Sequence, residues 1–404
     1  MNIWIFNQYA TKPNEAGGTR HYDFGRQFVK HGHNVHIIAS SFAHYTFTWR
    51  ERYFYTENVE GVMFHWIWTW PYKGNSIWRM INMLSYFFIS IIRALMIKPK
   101  PDVIVGSSVH LFACLAAYVV SVFRKSAYVV EIRDLWPRTL IDMGAIHEQS
   151  FLAKLFFSIE RFVYKKADCI ITLLPGSIKY IADVCGMKEK IVYIPNGIVV
   201  REENGKSSVE SRLKEIKKNH KQIVMYVGAH GYANAIDVIL ESVYFTKSDV
   251  AYVFIGDGPE KQKLMDRASK MENVYFLNPI PKKDVVATLK HADVLVISMR
   301  NSPIYKYGIS LNKLSDYLLS GKPILFAGRV YNDVVTDAKV GITIEPENPS
   351  EMAKGIERLL TLDELQKKEI EQRSRAYVNE NYNIERLAML FLHVCLKMKG
   401  ERKR

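Results

Sequence analysis

Short apolar runs and helical stretches alternate along this chain. Residues 2–6, 34–39, 103–106, 127–132, 169–174 and 191–194 have the length and branched or aromatic content of buried strands. Residues 222–227, 250–255, 273–276, 293–298, 323–326 and 341–344 repeat the pattern in the second half. Between them, 20–31, 175–185, 235–246, 259–270 and 282–291 carry helical periodicity. Strand–helix alternation predicts parallel sheets covered by helices on both faces, here twice over: an α/β fold of two Rossmann-like domains. The interruption follows Ile194-Pro195-Asn196-Gly197, where a polar, Lys- and Glu-rich stretch runs from Arg201 to Lys221. It divides the chain into a domain of residues 1–200 and one of 201–378. Residues 363–398 read as helical, and the segment 379–404 is expected to pack back on the first domain.

One stretch breaks the regularity. Residues 77–97 are long and strongly apolar, with Arg79, Asn82 and Arg93 inside them, Lys98 and Lys100 directly after, and Trp66, Trp68, Trp70 and Tyr72 before. The length suits a membrane span, but arginine in hydrocarbon is costly. Aromatic residues with flanking cations suit a helix lying in the membrane interface, with Trp78, Phe87 and Phe88 inserted, and an ordinary buried helix is the other reading. Residues 151–166 repeat the theme, a Phe/Leu face beside Lys154, Arg161, Lys165 and Lys166.

The 404 residues suffice for two cores, with 48% hydrophobic residues. A net charge of +14, spread over both halves, suits phosphate-bearing partners or anionic lipid. A nucleic-acid binder would cluster its basic residues in a stripe with stacking aromatics, and here the aromatics lie among apolar residues. Cys114, Cys169, Cys185 and Cys395 form no C-x-x-C pair or zinc spacing and read as free thiols of a reducing compartment. The N-terminus reads as a strand and not a signal peptide, which suggests a cytoplasmic protein.

Five motifs carry candidate chemistry. Gly17-Gly18-Thr19-Arg20, within the run from Asn14, opens a helix; its glycines let backbone amides approach a polar ligand, or simply make a turn. Ser107-Ser108-Val109-His110 lies at the carboxyl end of a strand, where open α/β sheets place ligands. There His110 is either a donor to a sugar hydroxyl or a structural histidine. Glu131-Ile132-Arg133-Asp134 occupies the same end of the next strand. Arg133 suits phosphate and Asp134 an acceptor hydroxyl, unless both serve an internal ion pair. Gly228-Ala229-His230-Gly231-Tyr232-Ala233-Asn234 joins strand to helix at the matching phosphate position of the second half. In the run Tyr307–Tyr317, Lys313 and Asp316 share a helix face, as a surface ion pair or a phosphate-and-ribose pair. No D-x-D, P-loop or G-x-S-x-G pattern occurs; the Gly205-Lys206-Ser207 run lacks the upstream glycine.

In order, these pieces resemble glycosyltransferase family 4, the retaining GT-B enzymes, whose two domains face each other across a cleft. The matching residues include Gly17–Arg20, Glu131–Pro137, Ile194–Gly197, Phe254–Pro259, Ala292–Val294 and Ser310–Pro323. The chain looks closest to the O-antigen and capsule branch, including enzymes of the N-acetyl-L-fucosamine transferase type. The resemblance implies a UDP-sugar donor, no other cofactor and no metal. It implies catalytic roles for His110, Asp134 and Lys313, and nucleotide-sugar contacts from Gly17, Gly18, Gly228, His230, Gly231, Asn234, Ile309, Ser310, Leu311 and Asp316. Arg20, Glu131 and Arg133 would hold the acceptor, and Pro281–Val285 lies where the base stacks. Asp316 stands in place of the second Glu of the family's E-x7-E motif, while Gly308 replaces the first. The implied acceptor is a polyprenyl-diphosphate-linked saccharide at the cytoplasmic face of the inner membrane, where the protein would attach peripherally. No nucleic-acid partner is implied. A GT-B-fold sugar-nucleotide epimerase is the alternative.

Overall fold

The computed structural model describes residues 1–13, 15, 17–44, 46–74, 77–199 and 207–402. Asn14 and Ala16 of the first glycine run, and the linker residues 201–206 with Gly205 and Lys206, lie outside the described residues.

The chain forms two compact units. The first comprises Met1–Val199, Tyr307–Ser310 and Asn383–Arg404, and the second Val200–Lys306 and Leu311–Tyr382. In the first unit the strands are β1 (Asn2–Phe6), β2 (Asn34–Ser40), β3 (Phe42–Ala43), β4 (Thr48–Trp49), β5 (Tyr55–Val59), β6 (Val62–Ile67), β7 (Val103–Ser108), β8 (Ala127–Ile132), β9 (Cys169–Thr172) and β10 (Ile191–Tyr193). Eight of them form one sheet in the order β10-β9-β8-β7-β1-β2-β6-β5, and β3 pairs with β4 alone. Every pairing in the large sheet is parallel except β5 with β6. Runs such as Val103-Ile104-Val105 and Tyr128-Val129-Val130 are buried throughout because helices cover both faces.

The second unit holds β11 (Gln222–Val227), β12 (Val250–Ile255), β13 (Val274–Leu277), β14 (Val294–Ser298), β15 (Ile324–Ala327) and β16 (Gly341–Ile344). Their order is β13-β12-β11-β14-β15-β16, all parallel. Both sheets therefore end their strands on loops that collect polar residues, the usual ligand edge of such folds.

Three features depart from the sequence reading. The β5–β6 hairpin was not anticipated, and it takes Trp66 into the core, stacked on Phe64 at 5.0 Å, so that Trp66 is no membrane-flanking residue. The C-terminal helical stretch is two helices, Glu364–Asn381 and Ile384–Glu401, divided at Asn383, whose side chain accepts from the Arg386 amide and caps the second. That last helix belongs to the first unit, where the Phe391 ring lies 5.6 Å from both Phe24 and Phe28 of the Arg20–Lys30 helix. The third is Phe87, which packs inward against the cluster of Met83, Phe112, Trp136 and Phe156, while its neighbour Phe88 is 61% exposed.

Candidate functional site

In the first unit, the ligand edge is organised by a buried chain of polar contacts. The Arg20 Nε donates to Glu131 Oε1 at 2.8 Å, with side-chain exposures of 2% and 0%. Its other nitrogens donate to the carbonyls of Ile194 (3.0 Å) and Pro195 (2.5 Å), and to Asn196 Oδ1 at 3.5 Å. Glu131 Oε2 accepts from His21 Nε2 at 2.6 Å and from Ser107 Oγ at 2.7 Å. Asn7 Nδ2 donates to His21 Nδ1 at 2.8 Å, which places the imidazole proton on Nε2. Burial, despite Glu131, keeps the His21 pKa below its ordinary value. Burial alone would raise the Glu131 pKa, but Arg20 and His21 hold it well below the carboxylate range.

The expected acceptor contacts of Arg20 and Glu131 are therefore corrected. Their donors and acceptors are spent inside the fold, pinning the Ile194–Gly197 turn. That turn is tightly packed: a Cβ on Gly197 would lie 2.4 Å from the Ile384 side chain. Asn196 Nδ2 in turn donates to Ser310 Oγ at 2.8 Å, so the turn holds the Tyr307–Ser310 segment within the same unit.

Arg133, by contrast, is half-buried, and among the described residues no hydrogen-bonded partner takes its guanidinium. Its amide donates to Ser108 Oγ at 3.2 Å, which orients the loop after β8. Part of Asp134 reaches solvent, and desolvation by the protein packed around its carboxyl raises its pKa against the pull of Arg133 and Arg79. His110 precedes the Leu111–Arg124 helix and is 1% exposed. Its Nε2 donates to Gln8 Oε1 at 2.6 Å, and its Nδ1 is a buried acceptor with no partner among the described residues. Burial holds its pKa at about 3, so the ring is neutral at physiological pH. Gly17 and Gly18 lead into the Arg20–Lys30 helix, and the Gly18 carbonyl accepts from Thr11 Oγ1 at 3.1 Å.

In the second unit, the Gly228–Asn234 run and the Asn312–Ser320 helix build one constellation. Lys313 Nζ donates to Tyr226 Oη at 2.7 Å and to Asn234 Oδ1 at 2.6 Å, and stands 4.5 Å from the centre of the Tyr226 ring. Asn234 Nδ2 closes back on the Ala229 carbonyl at 3.0 Å. Among the described residues no carboxylate pairs with Lys313, and burial holds its pKa at about 7. The Lys313 ammonium also lies by Gly228, where a Cβ would meet Nζ at 3.4 Å. Leu311 caps the Asn312–Ser320 helix, whose free amides add positive potential in its first turn. Ile309 is buried beside it in sequence, just before that cap.

The loop after β12 braces this cradle. The His230 amide donates to the Asp257 carbonyl at 2.8 Å, and a Cβ on Gly258 would lie 2.5 Å from the His230 carbonyl oxygen. Only glycine allows the two backbones to approach so closely. The His230 ring is fully buried, and both ring nitrogens lack a partner among the described residues. Burial holds its pKa at about 4. Gly231 lies half-buried in the turn between His230 and Asn234. Asp316 is paired with Lys282 Nζ at 2.5 Å, while burial raises its pKa against that partner.

Sequence reasoning missed Tyr226, Lys282 and the Asn7–His21–Ser107 contacts. Tyr226 and Ser107 lie inside strands, where a residue reads as packing, and Lys282 is one exposed lysine among many; no local signal marks them.

The structure also locates the apolar stretches. Among the described residues one helix, Ile77–Met96, is long and apolar enough to cross a membrane, and only 28% of its apolar window is buried. Trp78, Leu84, Phe88 and Ile92 are exposed on it. Phe123 of the adjoining helix, and Phe151, Leu155 and Phe162 of Phe151–Lys166, are exposed as well.

Comparison with known proteins agrees with this architecture. Residues 16–197 match the family described as Glycosyl transferase 4-like domain, and residues 208–376 match Glycosyl transferases group 1. The chain is 20% identical over 246 residues to the probable glycosyltransferase WbjE of Pseudomonas aeruginosa, covering 58% of this chain and 60% of that protein. The match thus spans about three-fifths of that relative's length. Among solved structures, the fold is similar to sucrose-phosphate synthase from Thermosynechococcus elongatus, with a TM-score of 0.76 and 14% identity over 99% of both chains. It is similar too to Anabaena HepE in complex with UDP, with a TM-score of 0.67 and 12% identity over 98% of this chain and 100% of that one.

Proposed function

The chain belongs to the GT-B glycosyltransferase family, and from that premise we propose that it moves a sugar from a UDP-sugar to a polyprenyl-diphosphate-linked saccharide. The observation that carries the donor half is Lys313, a buried ammonium with neutral oxygen partners and no described carboxylate, beside a glycine turn and a helix N-terminus. Such a group is satisfied by an anion, and a diphosphate supplies one. HepE, which shares the fold, was crystallised with UDP, and this supports the choice of nucleotide. Asp316 would exchange Lys282 for ribose hydroxyls, and the orphaned His230 ring would find its partner on the donor.

The reaction we propose retains the anomeric configuration. The acceptor hydroxyl attacks from the face that the diphosphate leaves, and the departing phosphate oxygen takes its proton. Positioning and stabilisation of leaving-group charge then supply the catalysis. Lys313 and the helix amides meet that charge, so the proposal requires no metal. His110, with its unpartnered Nδ1, would accept from a sugar hydroxyl, and Arg133 and Asp134 would face the acceptor. An amino sugar of the N-acetyl-L-fucosamine type, built into O-antigen or capsule, remains the preferred donor within this proposal, and WbjE supports the transferase class. The epimerase alternative is not favoured by the family matches.

The exposed apolar residues of Ile77–Met96 and Phe151–Lys166 support docking on the cytoplasmic face of the inner membrane, where a lipid-linked acceptor resides. The test is UDP release from a panel of UDP-sugars in the presence of extracted lipid-linked saccharides, with the product anomer read by NMR. Acceptor-dependent release with retained configuration is expected. Inversion would overturn the mechanism, and no release from any UDP-sugar would overturn the transfer itself.

A further inference from the structure

A short strap of chain packs apart from its neighbours in sequence. Tyr307–Ser310 belongs to the first unit, while the residues up to Lys306 and those from Leu311 belong to the second. Before the strap, the Tyr305 carbonyl accepts from the Tyr331 amide at 3.0 Å. After it, Lys313 is tied to Tyr226 and Asn234, and Tyr317 Oη accepts from the Val227 amide at 2.8 Å. The Asn312–Ser320 helix is thus fixed by contacts of its own unit, and the strap is not.

Two contacts hold the strap in the first unit. At one end Asn196 Nδ2 donates to Ser310 Oγ at 2.8 Å. At the other the Tyr307 ring lies against Tyr180, with ring centres 5.5 Å apart and planes inclined at 58°. Between them Gly308 turns the backbone at φ +107°, a value that residues with a side chain rarely adopt. The middle of the strap is shaped by backbone, and the two ends set its place.

Tyr180 is itself anchored. It lies on the Ile178–Cys185 helix, and its hydroxyl donates to Glu160 Oε2 at 2.8 Å and to Oε1 at 3.1 Å. Glu160 is on the Phe151–Lys166 helix and is 1% exposed. Burial pushes its pKa up to about 7, against the pull of the Tyr180 hydroxyl. None of the groups assigned above to donor or acceptor uses this carboxyl. A buried carboxyl is costly unless its oxygens are met, and here the hydroxyl that meets them belongs to the ring against Tyr307.

We propose that Tyr180 is a positioning residue for glycosyl transfer: anchored on Glu160, its ring seats Tyr307 and so sets the backbone of the strap against the donor sugar. This rests on the glycosyl-transfer reading and adds to it a residue remote from the reacting atoms. Because the Lys313 cradle is held by the second unit, the seat governs turnover and not nucleotide affinity.

The test compares Tyr180→Ala, Tyr180→Phe and Tyr307→Ala in the full-length protein. Trypsin cleavage after the exposed Lys306, followed by mass spectrometry, reports whether the strap stays seated, since a segment must open locally to be cut. Turnover on the UDP-sugar panel and UDP affinity by calorimetry are measured alongside. Tyr180→Ala is expected to speed that cleavage and lower kcat, each by about tenfold, with UDP affinity unchanged. Tyr307→Ala, which leaves the Tyr180–Glu160 contact in place, should do the same. Tyr180→Phe keeps the ring and should recover part of both losses. A purely structural role would lower the denaturation midpoint and leave kcat per folded molecule as it was. Unchanged cleavage in both alanine variants, faster cleavage with unchanged kcat, or a fall in UDP affinity equal to that in kcat overturns the positioning role. A wild-type protein that transfers no sugar removes the glycosyl-transfer reading, whereas the cleavage rates uphold or overturn the seat on their own.

Discussion

Arg20 donates to Glu131 at 2.8 Å with both side chains closed off from solvent, and this pair ties the end of β8 to the Ile194–Gly197 turn. Breaking such a pair from one side leaves a buried charge uncompensated, at a cost of about 3–5 kcal/mol. Glu131→Gln is therefore expected to destabilise the first unit by about that amount, read as a lowered midpoint in denaturant unfolding. Arg133→Gln, two residues on, should leave the midpoint in place and lower turnover. The Glu131 pKa is depressed in the fold, so its contribution is complete above the ordinary glutamate range and is lost only as pH falls through the folded value. A midpoint unchanged by Glu131→Gln would remove the pinning role.

Much of the architecture is legible in the sequence because parallel strands buried on both faces leave uninterrupted apolar runs, as in β8 and β12. The β5–β6 hairpin escapes, since Tyr55–Val59 alternates polar residues at a sheet edge and Val62–Ile67 carries a histidine and a tryptophan. For the site, position at a strand's carboxyl end was a sound guide to where polar residues gather. It did not distinguish Arg133, whose guanidinium has no described partner, from Arg20, whose donors are consumed inside. That difference depends on contacts with residues 111 and 174–176 positions away in the chain, which no local pattern encodes.

Asp316 is held by Lys282 at 2.5 Å. If ribose hydroxyls replace that lysine, Asp316→Ala should weaken UDP binding by about tenfold, roughly the 1.4 kcal/mol of one charge-assisted hydrogen bond. Lys282→Ala should have little effect or tighten binding slightly, because Lys282 is exposed and competes for the carboxylate. Unchanged UDP affinity in Asp316→Ala, measured by calorimetry, rules out the ribose contact.

If Lys313 and helix amides supply the positive charge at the leaving group, as proposed, transfer should survive excess EDTA. Complete loss of turnover, restored by magnesium or manganese, would show that the protein groups do not suffice.

Membrane docking predicts binding to vesicles containing anionic lipid, weakening with salt as Lys98, Lys100, Lys165 and Lys166 each contribute about 1 kcal/mol near the surface. Phe88→Ser with Ile92→Ser should release the protein and leave UDP affinity intact, since both side chains are exposed and 61% accessible. Phe87→Ser is the contrasting variant: it should lower stability, because Phe87 packs inward. Equal binding to neutral and anionic vesicles would remove the electrostatic part, and no vesicle binding would remove the docking surface.

The most direct measurement is the affinity of UDP between pH 7 and 9, by calorimetry, for the wild-type protein and for Lys313→Ala. In the free protein burial holds Lys313 at about 7, and a bound diphosphate favours its charged form and raises that value. Binding therefore takes up a proton above pH 7. Affinity should be greatest near or below that pH and fall as pH rises, by up to about tenfold per unit. Lys313→Ala should bind at least tenfold more weakly at pH 7 and lose the pH dependence. Failure of the wild-type protein to bind UDP, or equal affinity and equal pH dependence in Lys313→Ala, would contradict the diphosphate cradle.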